Sequence, residues 1–197
     1  MKVRESLALN YSKCWKFLIE CRWFFVFTSG LFALTFLIGF AFPVFFRAEI
    51  FELIERLILE IEGKNTLEMI TFIFLNNLTA SFFAMVFGIF LGIFPVITCV
   101  VNGYLLGFVA REAVMVEGIF SLWRILPHGI FELPAVIFSI GIGIRFGTRA
   151  VGFLGLGDKN KGLGYVFREG LRFFVFVIFP LLVVGGIIEG ILIGLST

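Results

Sequence analysis

From Met69 to Ala110 the chain carries no charged side chain at all, and this one feature excludes most folds. About 20 consecutive apolar residues are enough to cross the hydrocarbon core of a bilayer as a helix, so the run holds two crossings. Trp23–Phe46 is likewise free of charge, Ile125–Ile144 contains only Glu132 with His128 beside it, and Phe173–Ile193 contains only Glu189. Composition agrees: 60% of residues are hydrophobic, 29 are Phe, and 15% are charged, against the quarter or so of charged residues usual in soluble domains. The expected fold is all-α, a polytopic transmembrane bundle of about five helices at 23–46, 70–91, 96–110, 125–144 and 172–193, forming one membrane domain over 1–197.

The net charge of +2 is too small to point to nucleic acid, but the placement of the charges is informative. Lys and Arg before Trp23 and between Arg145 and Arg172 number eleven, against five in the two other loops. With an odd number of spans, the positive-inside bias puts the N-terminus in the cytoplasm and the C-terminus outside, in a multi-pass protein of the cell membrane. The first apolar run is too long for a signal-peptide core. Cys14, Cys21 and Cys99 show no metal or redox spacing and are read as reduced thiols.

Residues 1–22 have the pattern of an interfacial helix. Leu7, Tyr11, Cys14 or Trp15, and Leu18 recur at helical spacing among lysines that suit anionic headgroups. Residues 48–63 form a second amphipathic helix, acidic and outside. Its Ile50, Ile54, Leu57, Ile58 and Ile61 need a surface to bury against: the bundle, a second copy, or a partner protein. Asn65 or Thr66, followed by Glu68, forms a capping box for the next span. Gly88, Gly92 and Pro95 must break the Met69–Ala110 run, by a tight turn or a re-entrant dip. Residues 145–170 read as a cytoplasmic loop rich in Gly. Its 155–162 segment lacks the Gly-Lys-Ser/Thr ending of a phosphate-binding loop. Small residues four apart, Gly88/Gly92, Gly103/Gly107 and Gly186/Gly190/Gly194, let helix backbones approach closely. They are packing seams, the last of them a candidate homodimer contact.

Four polar features stand in otherwise apolar spans: Asn76-Asn77, Asn102-Gly103, His128 with Glu132, and Glu189. His128 and Glu132 lie four apart, on one face of a helix that Pro127 suits as a first position. A carboxylate at the bilayer centre costs at least about 2.5 kcal/mol, so it pairs, protonates or meets water. His128, Asn76, Asn77 and Asn102 are its candidate partners. Three roles fit such a cluster. It locks helix register; it relays protons or ions in a small transporter or channel; or it binds a metal for intramembrane hydrolysis. A catalytic zinc usually takes three protein ligands, and one histidine with scattered carboxylates falls short of that. No Gly-x-Ser-x-Gly setting or second histidine supports nucleophilic catalysis. No catalytic residue, metal site or cofactor is expected.

The succession Asn76-Asn77, Gly88-x-x-x-Gly92, Asn102-Gly103-Tyr104-Leu105-Leu106-Gly107 and Pro127-His128-Gly129-Ile130-Phe131-Glu132-Leu133-Pro134-Ala135 resembles the stage II sporulation protein M family, from about Leu75 to Ile193. The family's motif falls on Asn76, Asn77, Asn102, Gly103, Pro127, His128, Gly129, Glu132 and Pro134. The resemblance implies a membrane-embedded, non-enzymatic member of a peptidoglycan-remodelling assembly that recruits separate cell-wall hydrolases during engulfment. The family also occurs in organisms that do not sporulate, archaea among them. The expected partners are membrane lipids, other membrane or envelope proteins and a second copy of the chain.

Overall fold

The computed structural model describes residues 2–61, 63–153 and 162–196. Among them the elements run α1 (Lys2–Ala41), α2 (Arg47–Ile61), α3 (Thr66–Val86), α4 (Ile93–Glu117), α5 (Leu122–Phe153), α6 (Leu163–Phe173) and α7 (Phe179–Ser196), with no strand. Five stretches are long and apolar enough to span a membrane: Glu5–Ala41, Leu67–Ile89, Ile93–Glu117, Gly129–Gly152 and Leu163–Ile188. The protein is an all-α polytopic bundle.

Contacts between residues set the direction of each helix. Cys99 of α4 meets the Thr28 carbonyl, Gly103 meets Thr35, and Gly107 meets Phe36 and Phe40, so α1 and α4 run parallel. Asn77 pairs with Glu132 and Ala84 abuts Gly143, which makes α3 and α5 parallel to each other. Arg145 reaches back to Glu20, so α5 opposes α1. The five spans therefore alternate in direction. α5 is the centre, touching α1, α3, α4, α6 and α7.

Close packing of backbones accounts for this arrangement. A methyl group at Gly39 would strike the Tyr104 carbonyl, one at Gly107 the Phe36 carbonyl, and one at Gly88 the Gly143 carbonyl. In lipid there is no hydrophobic drive between apolar helices, so intimate van der Waals contact must hold them. Where the seams widen, aromatic rings fill them. Phe25, Phe138 and Phe173, from α1, α5 and α6, meet with centroids 4.9 to 6.2 Å apart.

The connections follow from local chemistry. Asn65 accepts from the Glu68 N–H at 3.0 Å while Glu68 accepts from the Asn65 N–H at 2.9 Å, the reciprocal cap that starts α3. The Met69–Ala110 run breaks by a tight turn. A 3-10 segment at Phe87–Ile89 leads into Gly92, whose φ of 75° opens α4. At the other end of α1, Pro43 stops the helix and Phe46 adopts φ 55°, a strained setting for a bulky residue. The Tyr104 hydroxyl holds it, 3.0 Å from both the N–H and the carbonyl of Phe45. Between α6 and α7, a π-helical segment at Phe174–Ile178 precedes Pro180. A π turn accommodates a proline, which lacks the N–H that an α-helix would use.

Three sequence expectations need correction. Residues 1–22 are not a separate helix: α1 runs unbroken for 40 residues, about 60 Å at 1.5 Å per residue. That is twice the roughly 30 Å hydrocarbon core. Its Cys14, Phe17 and Cys21 are buried in protein, and Tyr11 meets Phe176 edge-on. Residues 145–170 are not a loop where they are described. α5 continues through Arg145 to Phe153, and α6 begins at Leu163; the 155–162 segment lies almost wholly outside the described residues. Finally, α5 starts at Leu122, so Pro127 sits inside the helix rather than at its first position. A 3-10 turn at Ile119–Ser121 starts it instead, and interior prolines are tolerated in spans whose neighbours compensate the lost bond.

Candidate functional site

Glu132 sits on α5, ten residues into the helix, with its side chain only 8% exposed. Asn77 of α3 donates Nδ2 to its Oε2 at 2.6 Å. The room for the carboxylate comes from α7. A Cβ on Gly185 would lie 2.8 Å from Glu132 Cγ and 3.3 Å from Oε1, so a side chain there would displace it. Three helices thus meet at one acid: α5 supplies it, α3 the amide, and α7 an unoccupied Cβ position.

The other polar residues divide. Asn76 is exposed, because successive residues on a helix point about 100° apart and Asn77 takes the inward direction. Asn102 is exposed on α4 and donates to the carbonyl of Thr98 in its own helix at 2.8 Å. Of the three candidate asparagine partners Asn77 alone is seen to bond Glu132, and Asn102 is carried away from it on α4, which packs along α1. His128 and Glu189 lie on α5 and α7, and their side chains fall outside the described residues. Among the described residues no group of three His, Cys, Asp or Glu gathers for a metal ion. Gly88, Gly92, Gly103 and Gly107 all lie in seams within the chain; Gly186 faces Phe74 of α3 at 3.6 Å, and Gly190 and Gly194 are outside the described side chains.

The family model for stage II sporulation protein M matches residues 24–192, which is most of the chain. The chain belongs to the stage II sporulation protein M family. It is also 35% identical over 132 residues to a protein of Methanocaldococcus jannaschii described as uncharacterized, covering 65% of this chain and 57% of that one. The chain therefore spans little more than half the length of that curated relative. No solved structure matches it. Of the motif that carries the resemblance to stage II sporulation protein M, the structure brings together Asn77 and Glu132. It places Asn102-Gly103 on a different seam, where Gly103 admits the Thr35 hydroxyl.

A second buried polar cluster was not anticipated from the sequence. Arg145, with a side chain 3% exposed, donates Nη2 to Glu20 Oε2 at 2.9 Å and Nη1 to Cys21 Sγ at 2.9 Å. Its guanidinium lies over the ring of Phe17, 4.8 Å from the centroid. The Tyr165 hydroxyl donates to Glu20 Oε1 at 3.2 Å. Next to it, the buried Glu169 pairs with Arg172 and Arg168. The guanidinium fork, which reaches two acceptors and stacks on a ring together, suits Arg and not Lys. Arg145 and Tyr165 fall within the region matched to stage II sporulation protein M, whereas Glu20 and Cys21 precede it, so this clamp ties the family core to the leading part of α1. In the sequence Arg145 looked like the start of a basic loop; only its position four residues after Gly141, in an unbroken helical run, hinted otherwise.

Proposed function

We propose that this protein is a non-enzymatic membrane scaffold that organises partner proteins, with its N-terminus in the cytoplasm and α2 on the outer face. The observation that carries the proposal is α2 itself. Near its start, Arg47 pairs with Glu112 at 3.6 Å, Ile50 is buried and Phe51 meets Phe108 edge-on. Beyond that, Leu53 and Leu59 remain 44% and 63% exposed, beside Glu52, Glu55 and Glu60. A helix anchored near its start, with Leu53 and Leu59 exposed among carboxylates further along, offers apolar side chains framed by negative charge, which suits a partner of opposite charge. The pairing of Glu132 with Asn77 supports the same reading, since a satisfied polar knot fixes helix register.

The test is brief crosslinking, gentle extraction and identification of what co-purifies. A stoichiometric extracytoplasmic partner is expected, and it should be lost when Glu55→Lys and Leu59→Ser are combined while membrane insertion persists. Recovery of self-contacts alone would refute the scaffold. The buried Glu132 favours one second reading, a small transporter or channel. Glu132→Gln would then abolish flux in liposomes without unfolding the protein.

A further inference from the structure

Between α1, α2 and α4 lies a groove of about 470 Å³, within the range of roughly 300–1,000 Å³ typical of small-molecule sites. Ile38, Phe46, Ile50, Leu53, Val101 and Tyr104 form its walls. We propose that this groove holds an acyl chain of a membrane lipid, with the headgroup at the α2 rim.

Three observations select that occupant. First, the walls are apolar, and the hydroxyls that line it are already engaged. Thr35 donates to the Leu31 carbonyl at 3.0 Å, and Tyr104 is bound to Phe45. A polypeptide strand laid there would bring backbone N–H and C=O groups to a surface with few polar partners, which is costly at membrane depth. A hydrocarbon chain brings none. Second, the groove is continuous with surface that faces lipid. Val101 is 55% exposed and Ile38 is 38% exposed, and both belong to helices that span the membrane. Third, the α2 end of the groove is where the chain turns polar. α2 crosses it at the end of α1, with Glu49 among the lining residues and Arg47 next to Phe46. Tyr104 sits at that level, as amphipathic rings do at the edge of the hydrocarbon. A lipid seated there has its tail along α1 and α4 and its charged head among α2 side chains.

The full chain, reconstituted in phosphatidylethanolamine–phosphatidylglycerol vesicles with a trace of phospholipid bearing a diazirine on its acyl chain, provides the test. Photolysis and peptide mapping should label the Ile38 and Val101 segments about tenfold over Val26–Phe27, an exposed lipid-facing control on α1. Val101→Trp and, separately, Ile38→Trp fill the groove from opposite walls at exposed positions. Each should remove the excess labelling and leave the Val26–Phe27 signal unchanged. Equal labelling of both regions, labelling that survives both substitutions, or crosslinking of the groove to protein in place of lipid would each overturn the proposal.

Discussion

Replacing Asn77 with Leu removes the amide that donates to Glu132 at 2.6 Å and keeps the branched shape of the side chain. A hydrogen bond to a charged group contributes about 1.5–3 kcal/mol in soluble proteins. In membranes the average polar coupling is nearer 0.6 kcal/mol, with a maximum of about 1.7, because the unfolded state also finds partners. Glu132 is 8% exposed and packed against Gly185, so the upper part of the membrane range applies, about 1–1.7 kcal/mol. Glu132→Leu alone leaves the amide unsatisfied. The double variant leaves neither group behind, and replacing both partners by apolar side chains is close to neutral. Equilibrium unfolding of wild type, both singles and the double in mixed detergent micelles measures the coupling. A value under about 0.5 kcal/mol, within ordinary additivity, would show that the Asn77–Glu132 contact does not hold α3 to α5.

Arg145→Ala should destabilise strongly, by about 3–5 kcal/mol, as expected when one partner of a buried ion pair is removed. Arg145→Lys should recover only part, because an ammonium cannot serve Glu20, Cys21 and the Phe17 face together; thermal melts in detergent that give the Lys variant full stability would contradict the clamp. Gly39→Leu and Gly107→Leu should both fail to yield monodisperse protein by size exclusion, since their Cβ positions meet backbone of the opposing helix, whereas Gly30→Ala, with open space around it, should be neutral or up to about 1 kcal/mol more stable through helix propensity.

Features decided by neighbours in the chain were legible in the sequence. The capping box at Asn65 and Glu68 and the break at Gly92 both rest on a few adjacent residues. So did the existence of five spans, which needs only length and hydropathy. Features decided by distant partners were not. Nothing local distinguishes Asn76 from Asn77; the choice is made by Glu132, 55 positions further on. Arg145 read as the edge of a loop because its charge is neutralised by Glu20, which a single sequence cannot place beside it. The charges before Trp23 suggested a surface helix, yet no breaker separates them from the span, and the helix simply continues. Gly143 and Gly147, which abut Ala84 and Gly92, are hidden as a pair for the same reason as Arg145: a span drawn to end at Ile144 leaves Gly147 in a Gly-rich loop and splits their four-residue spacing.

The Arg145 clamp also orders events in time. A chain is made from its N-terminus, so Glu20 reaches the membrane long before the guanidinium and the tyrosine that it meets in the finished fold. Through the synthesis of α2, α3 and α4, the first helix carries Glu20 before Arg145 and Tyr165 have been made. α1 and α4 can close their glycine seam earlier, but the leading part of α1 settles only after α5 and α6 arrive. The last third of the polypeptide therefore completes the packing of the first helix, and a nascent chain halted before Arg145 leaves the leading part of α1 without the helices it docks on.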